Sequence, residues 1–291
     1  MDIKKIGVVG CGIMGSGIAQ VCAQAGYHVL VSDVNDELLN KGVAAIKSAL
    51  TKREEKGKLS QQDKDSILGR IKGTKNLSDF HDRDVVIEAA PENMDLKKKL
   101  FAELDGICPE HAILATNTGS LSIISIAVAT TRPDKVLGMH FFNPAPAIKL
   151  LEVVKTIATS DETLEIGEEF GRSLGKSVVI APDIPGFLVN RLTAPSSLNA
   201  IRTLEAGIAT KEDIDTAIKL SQNRPMGPLE TMDLIGLDTI LMANEYMYQE
   251  YKDPQYAPPI LLKKMVTAGW LGRKTGKGFY EYDEEGNPKQ D

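Results

Sequence analysis

A glycine pattern near the start of the chain limits its fold more than any other feature. Gly10-Cys11-Gly12-Ile13-Met14-Gly15 follows the apolar run Ile6-Gly7-Val8-Val9 and opens a helix-like stretch from Ile13 to Ala25, which Gly26 stops. GxGxxG alone marks no more than a tight turn; between a strand and a helix it is the signature of a dinucleotide site. The first glycine makes the turn, the second lets a pyrophosphate approach the backbone, and the third lets helix and strand pack closely. The helix N-terminus then faces the phosphates. Asp33 ends the next strand, His28-Val29-Leu30-Val31. Its carboxylate suits both ribose hydroxyls and repels a 2′-phosphate, and Asp33-Val34-Asn35 carries no cation to reverse that preference. NAD is the expected cofactor; the bland alternative for Asp33 is a turn or capping residue.

The pattern continues along the first half. Asp36 is expected to cap a long helix running past Leu50. Asp84–Ala90 reads as a strand, Met94–Ile107 as a helix and Ala112–Ala115 as a strand. Apolar runs with little alternation, separated by helices, imply a parallel sheet covered on both faces. Val136–Phe142, Leu150–Val154 and Ser177–Ile180 read as further strands of the same sheet, with a helix near Thr163–Leu174. Pro182-Asp183-Ile184-Pro185-Gly186 reads as a domain junction. After it only helices are expected: Phe187–Ala206, Lys211–Leu220, Leu229–Ile235, Asp238–Tyr251 and Pro259–Ala268. The fold class is therefore α/β, a Rossmann-type dinucleotide-binding domain over residues 1–183 followed by an all-α domain over 184–291.

Composition narrows the function classes. With 42% hydrophobic and 25% charged residues, the chain of 291 residues is globular rather than disordered. A net charge of −6 gives no global attraction to nucleic acid or to an anionic membrane surface. No run of about 20 apolar residues spans a membrane, and Met1–Lys5 leads straight into the first strand without the look of a leader. The three cysteines, Cys11, Cys22 and Cys108, are odd in number and form no CxxC pair. Cys11 and Cys22 on one helix would lie roughly 16 Å apart, too far to bridge. Reduced thiols in the cytoplasm are the expectation, and no metal site is expected.

Four histidines are present. His28 is expected to be packed at the start of an inner strand; His81 and His111 sit in polar turns. His140 differs, ending an apolar strand beside Asn143-Pro144-Ala145-Pro146, and strand ends border the ligand crevice in open α/β sheets. Glu152 is a second anomaly, since a carboxylate within Leu150-Leu151-Glu152-Val153-Val154 is costly to bury unpaired. If the two strands are neighbours, Glu152 accepts a hydrogen bond from His140, fixing its tautomer and stabilising the imidazolium. Such a pair suits proton transfer to and from a hydroxyl while a hydride moves. The alternatives are a structural histidine and a glutamate on the open side of an edge strand.

Taken together, these residues resemble the short-chain L-3-hydroxyacyl-CoA dehydrogenases, most of all their bacterial members. The matching stretches are Val9–Gln20, Val86–Ala90, Gly138-Met139-His140-Phe141-Phe142-Asn143-Pro144, Pro185–Arg191, Pro225-Met226-Gly227-Pro228 and Gly269–Tyr280. The resemblance implies interconversion of (S)-3-hydroxybutyryl-CoA and acetoacetyl-CoA with NAD(H), and a helical domain that dimerises and closes the active site. It carries the acid/base role onto His140, the orienting role onto Glu152, and a polar contact with substrate or catalytic groups onto Asn190. Glu92, Lys97, Asn117, Asn143 and Lys274 fall to the cofactor side, with Gly10–Gly15 and Asp33. Lys52 and Lys56, one helical turn apart, would meet the phosphates of CoA. Without the resemblance, these lysines and Lys97-Lys98-Lys99 would read as solvated helix faces.

One position departs from the family. In Asn117-Thr118-Gly119-Ser120-Leu121-Ser122, Gly119 stands where the family has a serine whose hydroxyl meets the substrate's 3-oxygen beside the histidine. Losing one such bond in a dry site is worth about 1–3 kcal/mol, or about tenfold to a hundredfold in rate. The expectation is an impaired enzyme, or one in which water, Thr118 or Ser120 takes over. Two other readings follow: an NAD-binding protein with little catalysis, and a dehydrogenase of a 3-hydroxy acid without CoA, against which Lys52 and Lys56 argue.

Overall fold

A computed structural model describes residues 2–283 and 285–289, and the chain divides into two compact units, Met1–Ile184 and Pro185–Asp291. The first unit runs β1 (Lys5–Val9), α1 (Ile13–Gln24), β2 (His28–Ser32), α2 (Asp36–Glu55), α3 (Gln61–Gly69), β3 (Ile71–Thr74), β4 (Val85–Glu88), α4 (Met94–Ile107), β5 (Ile113–Thr116), α5 (Ile123–Ala127), β6 (Val136–Phe141), β7 (Leu150–Lys155), α6 (Asp161–Ser173) and β8 (Ser177–Pro182). One sheet holds all eight strands in the order β3-β2-β1-β4-β5-β6-β7-β8. Every pairing is parallel except β6 with β7.

The strands in the middle are buried along their whole length because helices cover both faces. This is why β4, β5 and β6 lack polar–apolar alternation. Ile6, Val8, Ile87, Ile113 and Leu137 from the sheet join Ile18, Cys22 and Ile46 from the helices in one core. From β1 the chain first builds outward through β2 to β3, then returns to the other side of β1 to place β4. That reversal between β1 and β4 opens a crevice at the carboxyl ends of the strands.

Several expectations meet corrections here. Asn35, not Asp36, caps α2: its Oδ1 accepts from the Leu38 N–H at 2.9 Å, while Asp36 is the first helical residue and pairs with Lys75 at 2.7 Å. His28 is exposed rather than packed, since the buried stretch of β2 begins one residue later, at Val29. α3, β3 and α5 were not expected. β3 is an edge strand whose inner two residues face solvent, so no apolar run marks it. α5 spans only five residues and is set by capping, from the Ser122 hydroxyl and from the Asp183 carboxylate, which accepts the Ile123 and Ile124 N–H groups.

The second unit is helical: α7 (Val189–Glu205), α8 (Lys211–Ser221), α9 (Pro228–Ile235), α10 (Leu237–Tyr251) and α11 (Ile260–Thr267). Leu198, Ile201, Leu229, Met232, Leu237, Leu262 and Phe279 form its core. α7 starts later than the expected Phe187, because Gly186 and Phe187 both take positive φ, +79° and +45°, which no helix admits. Buried aspartates organise the rest. Asp215 accepts the first N–H groups of α9, from Leu229 at 2.8 Å and Glu230 at 2.9 Å. Asp233 accepts from the Phe279 and Tyr280 N–H groups and the Tyr282 hydroxyl, drawing the C-terminal segment onto α9. Burial raises the Asp233 pKa above the usual carboxylate range. Isolated bridges pair Gly272 with Lys277 and Lys277 with Glu281, so short extended pieces occur where only helices were expected.

Candidate active site at the carboxyl ends of the strands

The glycine turn sits at the end of β1, and its three glycines are required for different reasons. Gly10 has φ +95°, and a Cβ there would lie 2.7 Å from the Ala89 carbonyl oxygen at the end of β4. A Cβ on Gly15 would overlap the Gly10 carbonyl, so helix and turn close on each other only through glycine. Gly12 is different. Its φ of −70° suits any residue, and a Cβ built there meets no atom within 4 Å. The protein's own packing does not ask for glycine at 12; a ligand approaching the backbone does. Asp33 locks the arrangement: its Oδ2 accepts from the Cys11 N–H at 2.8 Å and its Oδ1 from the Val34 N–H at 2.7 Å. Ile13 is exposed at the start of α1, Met14 half-buried, and the Cys11 thiol buried 3.7 Å from the Leu39 carbonyl. Burial pushes the Cys11 thiol up to about 11, so it stays neutral. These residues fit a dinucleotide.

His140 and Glu152 come together through the one antiparallel pairing in the sheet. β6 and β7 run in a register that sets His140 directly opposite Glu152. The His140 Nδ1 lies 2.6 Å from Glu152 Oε2. Glu152 is 0% exposed and β7 is covered by β8 on its far side, so the reading of Glu152 as an edge-strand surface residue falls away. A carboxylate accepts hydrogen bonds, so Nδ1 donates to Glu152 and Nε2 is the ring nitrogen turned to the other side. Nε2 lies against Gly119, where a Cβ would be 3.0 Å away. The Phe142 ring packs on the imidazole with centroids 4.4 Å apart. His81 and His111 are exposed, as expected, with His111 3.2 Å from Asp84.

A second buried network holds the loop that carries Gly119. Glu88, fully buried at the end of β4, accepts from the Ala90 N–H and the Lys97 ammonium, both at 2.6 Å, and from the Thr116 hydroxyl at 2.7 Å. Lys97 is 1% exposed, which removes the alternative of a solvated helix face at this position; Ala90 O at 3.3 Å and Glu92 at 3.5 Å take up the rest of its ammonium. Glu92 accepts from the hydroxyls of Thr118 and Ser120 and from the Gly119 N–H. Those two hydroxyls are therefore committed to Glu92, which counts against either standing in for a serine at 119. Asn117 ties the strand ends: its N–H donates to the Glu88 carbonyl at 2.7 Å, and its Oδ1 accepts from the Phe141 N–H at 2.9 Å. Sequence reasoning passed over Glu88, although a carboxylate closing Val85-Val86-Ile87-Glu88 is the same signal that singled out Glu152.

Residues 5–184 match the family described as 3-hydroxyacyl-CoA dehydrogenase, NAD binding domain, and residues 186–282 match the C-terminal domain of the same enzymes. The chain belongs to the 3-hydroxyacyl-CoA dehydrogenase family. It is an NAD-dependent dehydrogenase of that family. A Bacillus subtilis (strain 168) relative named probable 3-hydroxybutyryl-CoA dehydrogenase is 46% identical over 285 residues, 98% of this chain and 99% of the relative. Human mitochondrial hydroxyacyl-coenzyme A dehydrogenase is 43% identical, over 96% of this chain and 91% of its own length. The crystal structure of (S)-3-hydroxybutyryl-CoA dehydrogenase from Ralstonia eutropha superposes with a TM-score of 0.91 at 46% identity, covering 97% of this chain and all (100%) of that one.

The remaining residues that the family resemblance singled out are each described within their own unit. Lys52 is exposed on the last turn of α2, and Lys56, also exposed, is that helix's C-cap. Asn143 follows β6 and is half-buried. In the second unit, Asn190 is half-buried in the first turn of α7, and Lys274 pairs with both carboxylate oxygens of Asp238 at 2.5 and 2.6 Å. Among the described residues, no group of three or more His, Cys, Asp or Glu side chains is placed to hold a metal ion.

Two outcomes follow from these contacts. Gly12→Ala leaves the thermal midpoint unchanged and weakens NADH binding, whereas Gly15→Ala lowers stability by about 1–3 kcal/mol; equal midpoints for the two variants would contradict the assignment of roles within the turn. Lys97→Met leaves Glu88 buried without its cation and costs about 3–5 kcal/mol in urea unfolding. A loss under about 1 kcal/mol, as for a surface pair, would show that the network carries no such load.

Proposed function

We propose that this chain interconverts (S)-3-hydroxybutyryl-CoA and acetoacetyl-CoA with NAD(H). The observation that carries the reading is the 2.6 Å contact between His140 and the wholly buried Glu152, set by strand register beside the crevice. The names and full-length similarity of the relatives support the substrate class. When bound, NAD supplies the hydride acceptor, and NADH the donor. In oxidation, His140 Nε2 takes the proton of the 3-hydroxyl; in reduction, it returns that proton to the 3-oxygen. Glu152 keeps Nδ1 protonated, aims the ring and stabilises the imidazolium. Glu152 is thus a positioning residue for His140.

On the cofactor side, the turn Gly10-Cys11-Gly12-Ile13-Met14-Gly15, Asp33, Glu92, Asn117 and Asn143 hold the dinucleotide, and Lys97 serves it through Glu92. Lys52 and Lys56 meet the CoA phosphates. The roles of Asn190 on substrate and Lys274 toward the cofactor rest on family membership. Gly119 leaves Nε2 without a neighbouring hydroxyl from position 119, so turnover is reduced and water takes the serine's place. Gly119 also supports a second reading, an NAD-binding protein with little catalysis. The exposure of both Lys52 and Lys56 favours a CoA ester over a free 3-hydroxy acid.

We place the enzyme in the cytoplasm, in the fatty acid and butanoate pathways, and read residues 1–183 as the cofactor domain and 184–291 as the dimerisation domain. Buried, unbridged cysteines support the compartment. No helix among the described residues is long and apolar enough to cross a membrane. Exposed Leu192, Ile208, Leu220 and Ile260 in the second unit support self-association into a homodimer.

NADH oxidation with acetoacetyl-CoA is the direct test. It is expected to be present, lost by at least about a hundredfold in His140→Ala, and raised about tenfold to a hundredfold in Gly119→Ser, provided the imidazole gives by a few tenths of an ångström. Turnover unchanged in His140→Ala rejects the acid/base assignment; tight NADH binding with no turnover on any 3-oxoacyl-CoA favours the second reading. Lys56→Ala is expected to raise KM for the CoA ester, and an unchanged KM removes that contact. Sedimentation at micromolar concentration is expected to show a dimer, and a monomer there overturns the self-association.

A further inference from the structure

Lys176 stands just before β8 and is buried. Its ammonium donates to the Ala145 carbonyl at 2.5 Å and the Ile148 carbonyl at 2.6 Å. Both carbonyls belong to residues 142–149, the loop that joins β6 to β7 and so links His140 to Glu152. The Ser177 N–H adds a bond to the Lys149 carbonyl at 2.7 Å. An ammonium taken out of water is costly, and burial lowers the pKa of this one. An apolar side chain would fill the same space without that cost. What the cation contributes is the closure of one loop from beneath.

The same loop is held from its other side. Within α1, a Cβ built on Gly17 would lie 3.2 Å from the Ala145 Cβ and 3.3 Å from the Pro146 Cδ. Ala145 is itself buried there. Gly17 is in the second turn of the helix that opens at the glycine turn. The loop thus lies between the ammonium and the dinucleotide helix, and its first residues carry Asn143.

We propose that Lys176 is a positioning residue for the cofactor side of the reaction, clamping the 142–149 loop against Gly17 and fixing Asn143 relative to the glycine turn. The proposal rests on the reading of Asn143 as a cofactor residue. Charge-assisted bonds to two carbonyls are strong enough to hold a loop in one place. A displacement of about 1 Å at a positioning group is enough for large losses.

The test compares Lys176→Met, Gly17→Ala and Asn143→Ala with the unaltered full chain, by fluorescence titration of NADH and by KM for acetoacetyl-CoA at saturating NADH. Lys176→Met is expected to raise the Kd for NADH about tenfold to a hundredfold, with KM for acetoacetyl-CoA changed less than about twofold. A folded Lys176→Met protein with native NADH affinity overturns the proposal. So does a variant in which both constants worsen together with a lower Tm, which is what a merely structural lysine would give. Gly17→Ala presses on the loop from the opposite side and is expected to move the NADH constant in the same direction. If Lys176→Met does not fold, an unchanged NADH constant in Gly17→Ala overturns the proposal. If Asn143→Ala binds NADH normally, the reading of Asn143 falls and the proposal falls with it; if Asn143→Ala weakens NADH binding and Lys176→Met does not, the proposal alone falls.

Discussion

The imidazole of His140 is useful only because the carboxylate of Glu152 lies across the strand from it. A histidine at a strand end has two tautomers and a ring free to turn. Here one antiparallel register removes both freedoms, since the residue opposite is a buried acceptor 2.6 Å from Nδ1. The carboxylate in turn is tolerable in the sheet only because that bond exists; buried without it, the charge would be costly. Each residue of the pair is the reason the other can be where it is.

Parallel strands alone would not make this pair. β1, β4, β5 and β6 all run the same way and deliver their carboxyl ends to one edge. There the glycine turn, the Glu88–Lys97–Glu92 network and the Gly119 loop meet the end of β6. β7 reverses direction, and that reversal is what brings a second side chain back to the height of His140. The loop that makes the reversal, residues 142–149, is held by bonds to its carbonyls and by contact with α1. Charges that look out of place in an apolar interior, Glu88, Lys97, Glu152 and Lys176, all lie close to this edge. Each is satisfied by a partner that also fixes a loop or a catalytic group.

The helical unit follows a plainer logic. Its helices carry apolar faces that close on Leu198, Leu229 and Leu262. Asp215 and Asp233 work as internal caps, the first for α9 and the second for the C-terminal segment. Neither aspartate is marked in the sequence, because a capping acid and a surface acid look alike until the segment they receive is known.

Much of the architecture could be read from the order of residues. The alternation of apolar runs with helical periods, punctuated by glycine and proline, reports local conformation and burial, and for that reason every strand but β3 and most helices were legible within a residue or two. GxGxxG announced the dinucleotide turn because steric limits on Cβ act over a few residues. α3, β3 and α5 escaped because they are short or exposed and carry no burial pattern. Glu152 and His140 were visible as anomalies, a charge and a base in apolar strands. Their pairing was not, since it depends on register and on which strand lies next to which. Lys97 looked like a surface lysine, and Lys176 looked like nothing in particular; only long-range packing buries them and supplies carbonyls and carboxylates to their ammonium groups. Local sequence records what a residue prefers, whereas the partner that makes a buried charge stable comes from distant parts of the chain, and only the assembled fold brings it into reach.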